Sequence, residues 1–265
     1  MTTKELSEEI YKRYGAVTRA RGYFLYTKKS VRLTDMFLED GRAILGWHTG
    51  SAFTQLKNIL SRGLTGSFRT EESFRLKKAV SVLLNKSVNI FCFSEKKSAI
   101  AASLSISKEQ SAVWKPFNKD IDYSSFDALV LCPPLSWTNN IFLLAVDNKL
   151  CEKNCENLPA EFPGETKLPF ALEAAVTRAI YDYMAEEKIR EEKDWFIYDT
   201  FLNKYFTRKG CCLTPKVPRE KYDEFVLYCL DKHIIINPHY EGESFIPYKV
   251  DKGNFSAIKN SPFEF

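Results

Sequence analysis

Two lysines and two serines stand at a strand-to-helix junction, where they could attract an anion. Ser94, Lys96, Lys97 and Ser98 follow the apolar run VNIFCF and open the helical pattern KSAIAASLSISK. Backbone N–H groups at a helix N-terminus, together with nearby ammonium groups, favour phosphate. Glu95 opposes that charge, and no glycine lets the backbone approach an anion closely. An ordinary strand-to-helix loop is therefore the simpler interpretation.

The histidines and cysteines have no metal-site spacing. Cys151 and Cys155 lack a second ligand pair, and His233 and His239 lack the carboxylate-histidine spacing of zinc sites. His48 could be catalytic because histidine titrates near neutral pH. A structural role at a helix-entry corner is the simpler interpretation for His48.

Cysteine usage and composition limit the class of protein. Seven cysteines with no CxxC motif favour a reduced, cytoplasmic setting, and Cys211–Cys212 alternate in a predicted strand with at least one in the core. The net charge of +4 over 265 residues gives little reason to expect nucleic acid or a membrane as a partner. The opening MTTKELSEEIYKRYG reads as a short helix with Leu6, Ile10 and Tyr11 on one side, not as a signal peptide.

The elements that position these residues begin with a hairpin and two helices. A strand-turn-strand entry surrounds Lys28–Ser30, and a glycine-rich corner at Gly46–Gly50 leads to an amphipathic helix. An irregular link at Gly63–Phe68 precedes a second amphipathic helix that starts near Thr70. The apolar face predicted for the first of these helices consists of Phe53, Leu56, Ile59 and Leu60.

Three buried strands alternate with helices in the middle of the chain. We expect strands at Val88–Phe93, Asp127–Cys132 and Ile141–Val146, with a helix at Lys97–Lys108. Pro133–Pro134 ends the second strand, since proline cannot donate to a ladder. Alternation of strands and helices favours an α/β layer with parallel pairing.

The C-terminal block has an α+β pattern after a polar, turn-rich boundary. Helices are predicted at Phe170–Lys188, about Lys193–Lys209 and Arg219–Lys232, with a CCL strand between the last two. The aromatic residues from Trp195 to Phe206 indicate core or a dimer contact. Short strands are predicted in the tail segments HIIINP, SFIPYKV and FSAIK.

The order of these pieces resembles the class III aminotransferases, which belong to fold type I of the pyridoxal-phosphate (PLP) enzymes. Leu45–His48 resembles the family's LGH-type corner, and Ser94–Ala99 stands where the family has its phosphate loop. PFALEAAVTRAIYDYM resembles the proline-headed helix that opens the family's small domain. The resemblance implies a reduced PLP-transferase-like α/β fold with a few-stranded, parallel-type sheet and an α+β small domain. The implied domains are 1–45, packing with the small domain, 46–160, a shrunken large domain, and 161–265, the small domain.

The departures from the family pattern concern its chemistry. The family's Schiff-base lysine follows a strand that resembles Asp127–Cys132, so Pro133 takes its position. Only the short link 108–126 stands where the family keeps the aspartate and the ring-stacking aromatic residue of its cofactor site. The phosphate loop has lost its glycine and threonine, and no arginine lies near Ser244–Ile246 to bind a substrate carboxylate.

These departures imply a protein that no longer transaminates. We expect no bound cofactor and a binding or assembly role, as a homodimer or as a heterodimer with an intact aminotransferase. The alternative is a PLP-dependent aminotransferase, or another transferase, that uses a non-standard lysine. Lys149, Lys153 and Lys167 are candidates for that lysine, although none sits in a motif that would lower its pKa.

Overall fold

The computed structural model describes residues 1–47, 50–66, 68, 70–118, 120–137, 140–153 (the backbone alone for 151–153) and 161–265. His48 and Cys155, and the side chains of Cys151 and Lys153, lie outside the described residues. The helices are α1 (Thr3–Tyr14), α2 (Ala52–Ser61), α3 (Glu72–Leu83), α4 (Lys96–Ile106), α5 (Asn148–Lys153), α6 (Phe170–Glu187), α7 (Lys193–Phe196), α8 (Asp199–Leu202), α9 (Arg219–Asp231) and α10 (Ser256–Asn260). The strands are β1 (Val17–Arg21), β2 (Phe24–Thr27), β3 (Arg32–Asp35), β4 (Val88–Phe93), β5 (Ser111–Val113), β6 (Ala128–Leu131), β7 (Phe142–Asp147), β8 (Glu165–Thr166), β9 (Phe206–Lys209), β10 (Cys212–Pro215), β11 (Ile234–Ile235) and β12 (Ser244–Phe245).

The chain divides into two compact units. Unit 1 contains Met1–Thr49 and Ile189–Phe265, and unit 2 contains Gly50–Lys188. This division differs from the predicted domain boundary at 160/161, because α6 packs along α2 and α3 within unit 2. An amphipathic pattern shows that a helix buries one face, but it does not show which neighbour covers that face.

Unit 1 contains the N-terminal helix and the entry hairpin. β1, β2 and β3 pair antiparallel, and β11 from the C-terminal part pairs parallel to β3. In α1, Leu6 and Ile10 are buried as expected for residues four apart on one face. Tyr11 was expected on the same side and is 67% exposed, because one further residue turns the side chain by about 100°.

The C-terminal part of unit 1 differs from two of the predictions. β9 pairs antiparallel with β10, so the single helix predicted at 193–209 is replaced by α7, α8 and a strand. Pairing with β10 outweighs local helical patterning there, as tertiary context often does. The FSAIK segment, predicted as a strand, forms α10 instead.

Unit 2 is built on a five-stranded mixed sheet in the order β5-β6-β7-β4-β8. Only β5 and β6 pair parallel among these strands, whereas β6–β7, β4–β7 and β4–β8 pair antiparallel. The prediction of a parallel-type sheet was therefore wrong. The link at 132–141 is too short for a parallel crossover, which needs a dozen or more residues.

The core of unit 2 lies between α4 and one face of this sheet. Small side chains on α4 allow the helix to approach the strands closely, and aromatic rings close the cluster. Its buried members are Phe93, Ala99, Ala102, Ala128, Val130, Leu144, Val146 and Phe162.

Candidate functional site

The sheet register places the Ser94–Ser98 loop and Pro133 at one edge of unit 2. Cys92 in β4 and Leu131 in β6 both pair with Leu143 of β7, so the carboxyl ends of β4 and β6 flank that strand at the same level. Neighbouring strands lie about 4.8 Å apart, which puts these two ends about 10 Å from each other. Sequence analysis identified both positions but did not show that they lie close together. We call this edge of the sheet the candidate site.

The phosphate-loop positions lie just after β4 and in the first turn of α4. Ser94, Lys96 and Lys97 are exposed, and neither ammonium has an ion-pair partner among the described residues. Ser98 is half-buried against the backbone of Gly164, whose φ is +81°, and a Cβ added there would lie 3.1 Å from Ser98 Oγ. Glu95 caps α4 without a side-chain hydrogen bond. The loop therefore offers charge to solvent and no enclosed cradle.

The segment after β6 is apolar and packed. Pro133, Pro134 and Leu135 are buried, and the carbonyl of Pro133 accepts from the N–H of Leu135 at 2.8 Å. A proline ring has no amine, so this position cannot form an imine with a carbonyl compound. A tight turn of buried, apolar residues therefore follows the carboxyl end of β6.

Of the other candidate lysines, Lys149 lies at the wrong end of the sheet. β7 runs antiparallel to its neighbours, and its last residue, Asp147, pairs with Val88 at the start of β4. Lys149 follows on α5 and is exposed, roughly 17 Å along the strands from the candidate edge. Lys167 follows β8, beside Cys92, and is exposed at the mouth of a cavity.

Burial, with a smaller effect from two nearby carboxylates, keeps the thiol of Cys92 protonated. Burial raises the pKa of Cys92 to about 12, and the carboxylates of Glu173 and Glu165 add to that effect. Burial also raises the pKa of Glu173, which accepts from the Ser73 hydroxyl at 2.8 and 3.0 Å. A thiol with such a pKa is a poor nucleophile, since the thiolate is the reactive form.

A buried carboxylate in unit 1 was missed by sequence reasoning. Asp35 is 2% exposed and lines a cavity of about 490 Å³. Its Oδ1 accepts from the N–H groups of Phe37 and Leu38, and its Oδ2 accepts from Trp47 Nε1 at 2.7 Å. Burial raises the pKa of Asp35 to about 6 against the effect of these hydrogen bonds. The available signal was an aspartate that ends a strand and directly precedes the apolar run Met36–Leu38.

The described residues contain no group of three or more histidine, cysteine or acidic side chains that could hold a metal ion. His233 packs edge-on against Tyr14 with ring centroids 5.5 Å apart, and His239 Nε2 lies 3.2 Å from Thr3 Oγ1. Cys211 and Cys212 are both buried, so both belong to the core of unit 1. Across the described part of the chain, no helix combines the length and apolarity needed to cross a bilayer.

Known proteins share this fold at low sequence identity. No protein-family model matches the chain. An uncharacterized protein from Treponema pallidum (strain Nichols) is 24% identical, covering 90% of this chain and 91% of its own. An omega-transaminase from Sphaerobacter thermophilus superposes with a TM-score of 0.67 at 8% identity, over 98% of this chain and 95% of the other. An acetylornithine aminotransferase from Elizabethkingia anophelis superposes with a TM-score of 0.64 at 12% identity, over 97% of both chains. An ornithine aminotransferase from Plasmodium yoelii superposes with a TM-score of 0.65 at 11% identity, over 98% of this chain and 97% of the other.

The chain has an aminotransferase-like fold. The three solved structures above are two aminotransferases and an omega-transaminase, and the mixed α/β arrangement agrees with the resemblance seen in the sequence. The residues at the candidate edge do not fit PLP. Pro133 offers no amine. Lys96 and Lys97 are exposed, whereas a lysine that forms a Schiff base is usually desolvated. The Ser94–Ser98 segment has no glycine at which the backbone could approach a phosphate closely.

Proposed function

We propose that this protein is an aminotransferase-like protein without transaminase activity, acting as a dimeric binding or assembly protein. The observation that carries the proposal is that two positions that depart from the family pattern, Pro133 and Ser94, lie at the same edge of the sheet. Pro133 follows β6 and Ser94 follows β4, and each lies two residues beyond the residue that pairs with Leu143. A PLP-dependent transaminase needs an amine and a phosphate cradle within reach of one ligand. The residues at this edge support the interpretation that both have been lost.

The proposal includes a shortened large domain. Link 107–127 carries β5 and a short helical turn at Tyr123–Ser125 among its described residues, and the sheet of unit 2 has five strands. This compact connection supports the interpretation that the cofactor-holding part of the family's large domain has been lost. The five cysteines whose side chains the structure describes are in the reduced form, which supports a reducing, cytoplasmic compartment.

The experiment is reaction of the purified chain with PLP. We expect no aldimine absorbance band, and after borohydride reduction we expect only low, evenly spread labelling of exposed lysines. An absorbance band that one lysine substitution removes would overturn the proposal and establish the alternative, an enzyme with a non-standard lysine. Lys167→Met and Lys149→Met make a matched pair, since both lysines are exposed and Lys167 is the nearer to the candidate edge.

A further inference from the structure

Unit 2 contains an open cavity of about 650 Å³ that lies outside the candidate edge. It is bounded by the end of α2 and the link after it, by the start of α3, and by the segment that leads from β8 into α6. Its volume is in the usual range for sites that enclose a small organic molecule. The sequence shows this link only as an irregular stretch.

Aromatic rings form the walls of the cavity. Phe68 and Phe170 lie with ring centroids 6.3 Å apart at an interplanar angle of 35°. Phe170 also packs against a buried cluster of Ile59, Ala171 and Ala174 from α2 and α6, so this wall is anchored. By contrast, Phe74 is 72% exposed and Phe68 is 55% exposed. Large apolar side chains grouped around a concavity and left in water are typical of binding sites.

One positive charge lies at the cavity mouth. Lys167 is the one charged side chain among the described residues that line the cavity, and it makes no ion pair or hydrogen bond with the part of the chain described. Thr70 Oγ1 accepts from the N–H of Glu72 at 3.3 Å, which leaves the hydroxyl proton free to donate.

The neighbouring carboxylates are already engaged. Glu173 accepts from Ser73, and Glu72 pairs with Arg75 at 3.1 Å. The free donors of the cavity therefore suit an anion, whereas its walls suit a hydrocarbon.

We propose that this cavity binds a small arylalkyl carboxylate, with its apolar body between Phe68, Phe74 and Phe170 and its carboxylate on the Lys167 ammonium. The proposed site is supported by exposed aromatic side chains and by charge complementarity in unit 2. It does not rest on the proposed loss of transaminase activity and goes beyond it.

The test compares two probes of the same shape, 3-phenylpropanoate and 3-phenylpropanamide, by calorimetric titration of the full chain. The carboxylate is expected to bind about threefold to fivefold more tightly than the neutral amide, since an exposed charge pair contributes at most about 1 kcal/mol, which corresponds to about fivefold. Lys167→Met should remove this preference and leave amide binding unchanged. Phe74→Ala should weaken both probes several-fold because it removes a wall.

Lys149→Met is the matched control, since Lys149 is also an exposed lysine of unit 2 and does not line the cavity. It should alter neither affinity. Phe74 and Lys167 are both exposed, and thermal unfolding of each variant checks that the fold is kept. Equal affinity of wild type and Lys167→Met for the carboxylate would overturn the proposal, as would no binding at millimolar concentration. Loss of self-association in Phe74→Ala without any probe binding would assign the surface to a second copy instead.

Discussion

The indole Nε1 of Trp47 lies 2.7 Å from Oδ2 of Asp35 and donates its proton to that buried carboxylate. Two backbone N–H groups, from Phe37 and Leu38, serve the other oxygen. Leu38, Glu39 and Asp40 then follow with φ between +49° and +58°, a backbone region that L-residues seldom adopt. The carboxylate therefore holds the start of a left-handed turn together with the corner residue Trp47.

The stability of the protein should depend on pH through Asp35. The pKa of Asp35 in the folded chain is about 6, above the ordinary value of 3.8. A raised carboxyl pKa means that the contribution to stability is fully present below pH 4 and is lost as pH rises through about 6. Relative to Asp35→Asn, the free energy of unfolding of the wild type should fall by on the order of 3 kcal/mol between pH 4 and pH 7.

Urea unfolding of both proteins at several pH values measures this difference. Asp35→Asn is expected to be less stable at low pH, because its amide nitrogen faces the Trp47 N–H, but its stability should lack the Asp35 slope. Glu8→Gln, a change at an exposed carboxylate, serves as the control and should retain the wild-type slope. A constant difference between wild type and Asp35→Asn across this pH range would contradict the assignment.

Gly50 is expected to tolerate alanine less well than Gly63. Both have left-handed φ values, +70° and +69°. A Cβ at Gly50 would collide with the carboxylate of Asp182, whereas nothing lies within 4 Å of a Cβ at Gly63. Asp182 cannot withdraw freely, because it accepts from the N–H of Ser51 at 3.0 Å and pairs with Arg178.

Denaturant unfolding of the two variants separates strain from collision. Gly63→Ala should cost about 1 kcal/mol from backbone strain, and Gly50→Ala should cost roughly 1–3 kcal/mol more from the added overlap. Equal losses in both variants would show that Asp182 moves aside. Gly63→Ala is a close control, since its backbone conformation matches that of Gly50.

Self-association is expected at micromolar concentration. Most of the aromatic segment after α6 is core, including Trp195 and Tyr198, but Phe196 is 63% exposed and Ile189 is 58% exposed. Phe196→Ser should weaken the dimer, and Leu104→Ser, a change at an exposed apolar residue on α4, should not. Sedimentation velocity measures both, and a monomer mass for the wild type would count against the assembly proposal.

Local patterns predicted most elements of unit 2. The strand at Val88–Phe93 and the helix beginning at Phe170 have the expected bounds, because an apolar run and a proline-headed amphipathic pattern are strong local signals. The direction of β7 was not predictable from its own composition. It follows from the short link after β6, and it decides that Lys149 lies away from the candidate edge.

The candidate site was predicted only in its parts. Ser94 and Pro133 each follow a buried strand, but their shared edge depends on the register with Leu143, which no local pattern encodes. The Asp35–Trp47 hydrogen bond and the cavity beside Lys167 also join segments distant in sequence or lying in an irregular link. Such pairs are fixed by tertiary packing, and so a single sequence leaves them open.

Unit 1 takes its strands from both ends of the polypeptide. β11 is hydrogen-bonded to β3, although about 200 residues of sequence separate the two strands. During synthesis, the ribosome delivers the whole of unit 2 before Ile234 and Ile235 emerge. Since domains generally fold as units once their residues are available, the continuous middle section can become native while the entry hairpin still lacks its parallel neighbour. Nascent chains arrested before Ile234 should therefore protect residues 50–188 from protease while leaving the first strands open to cleavage.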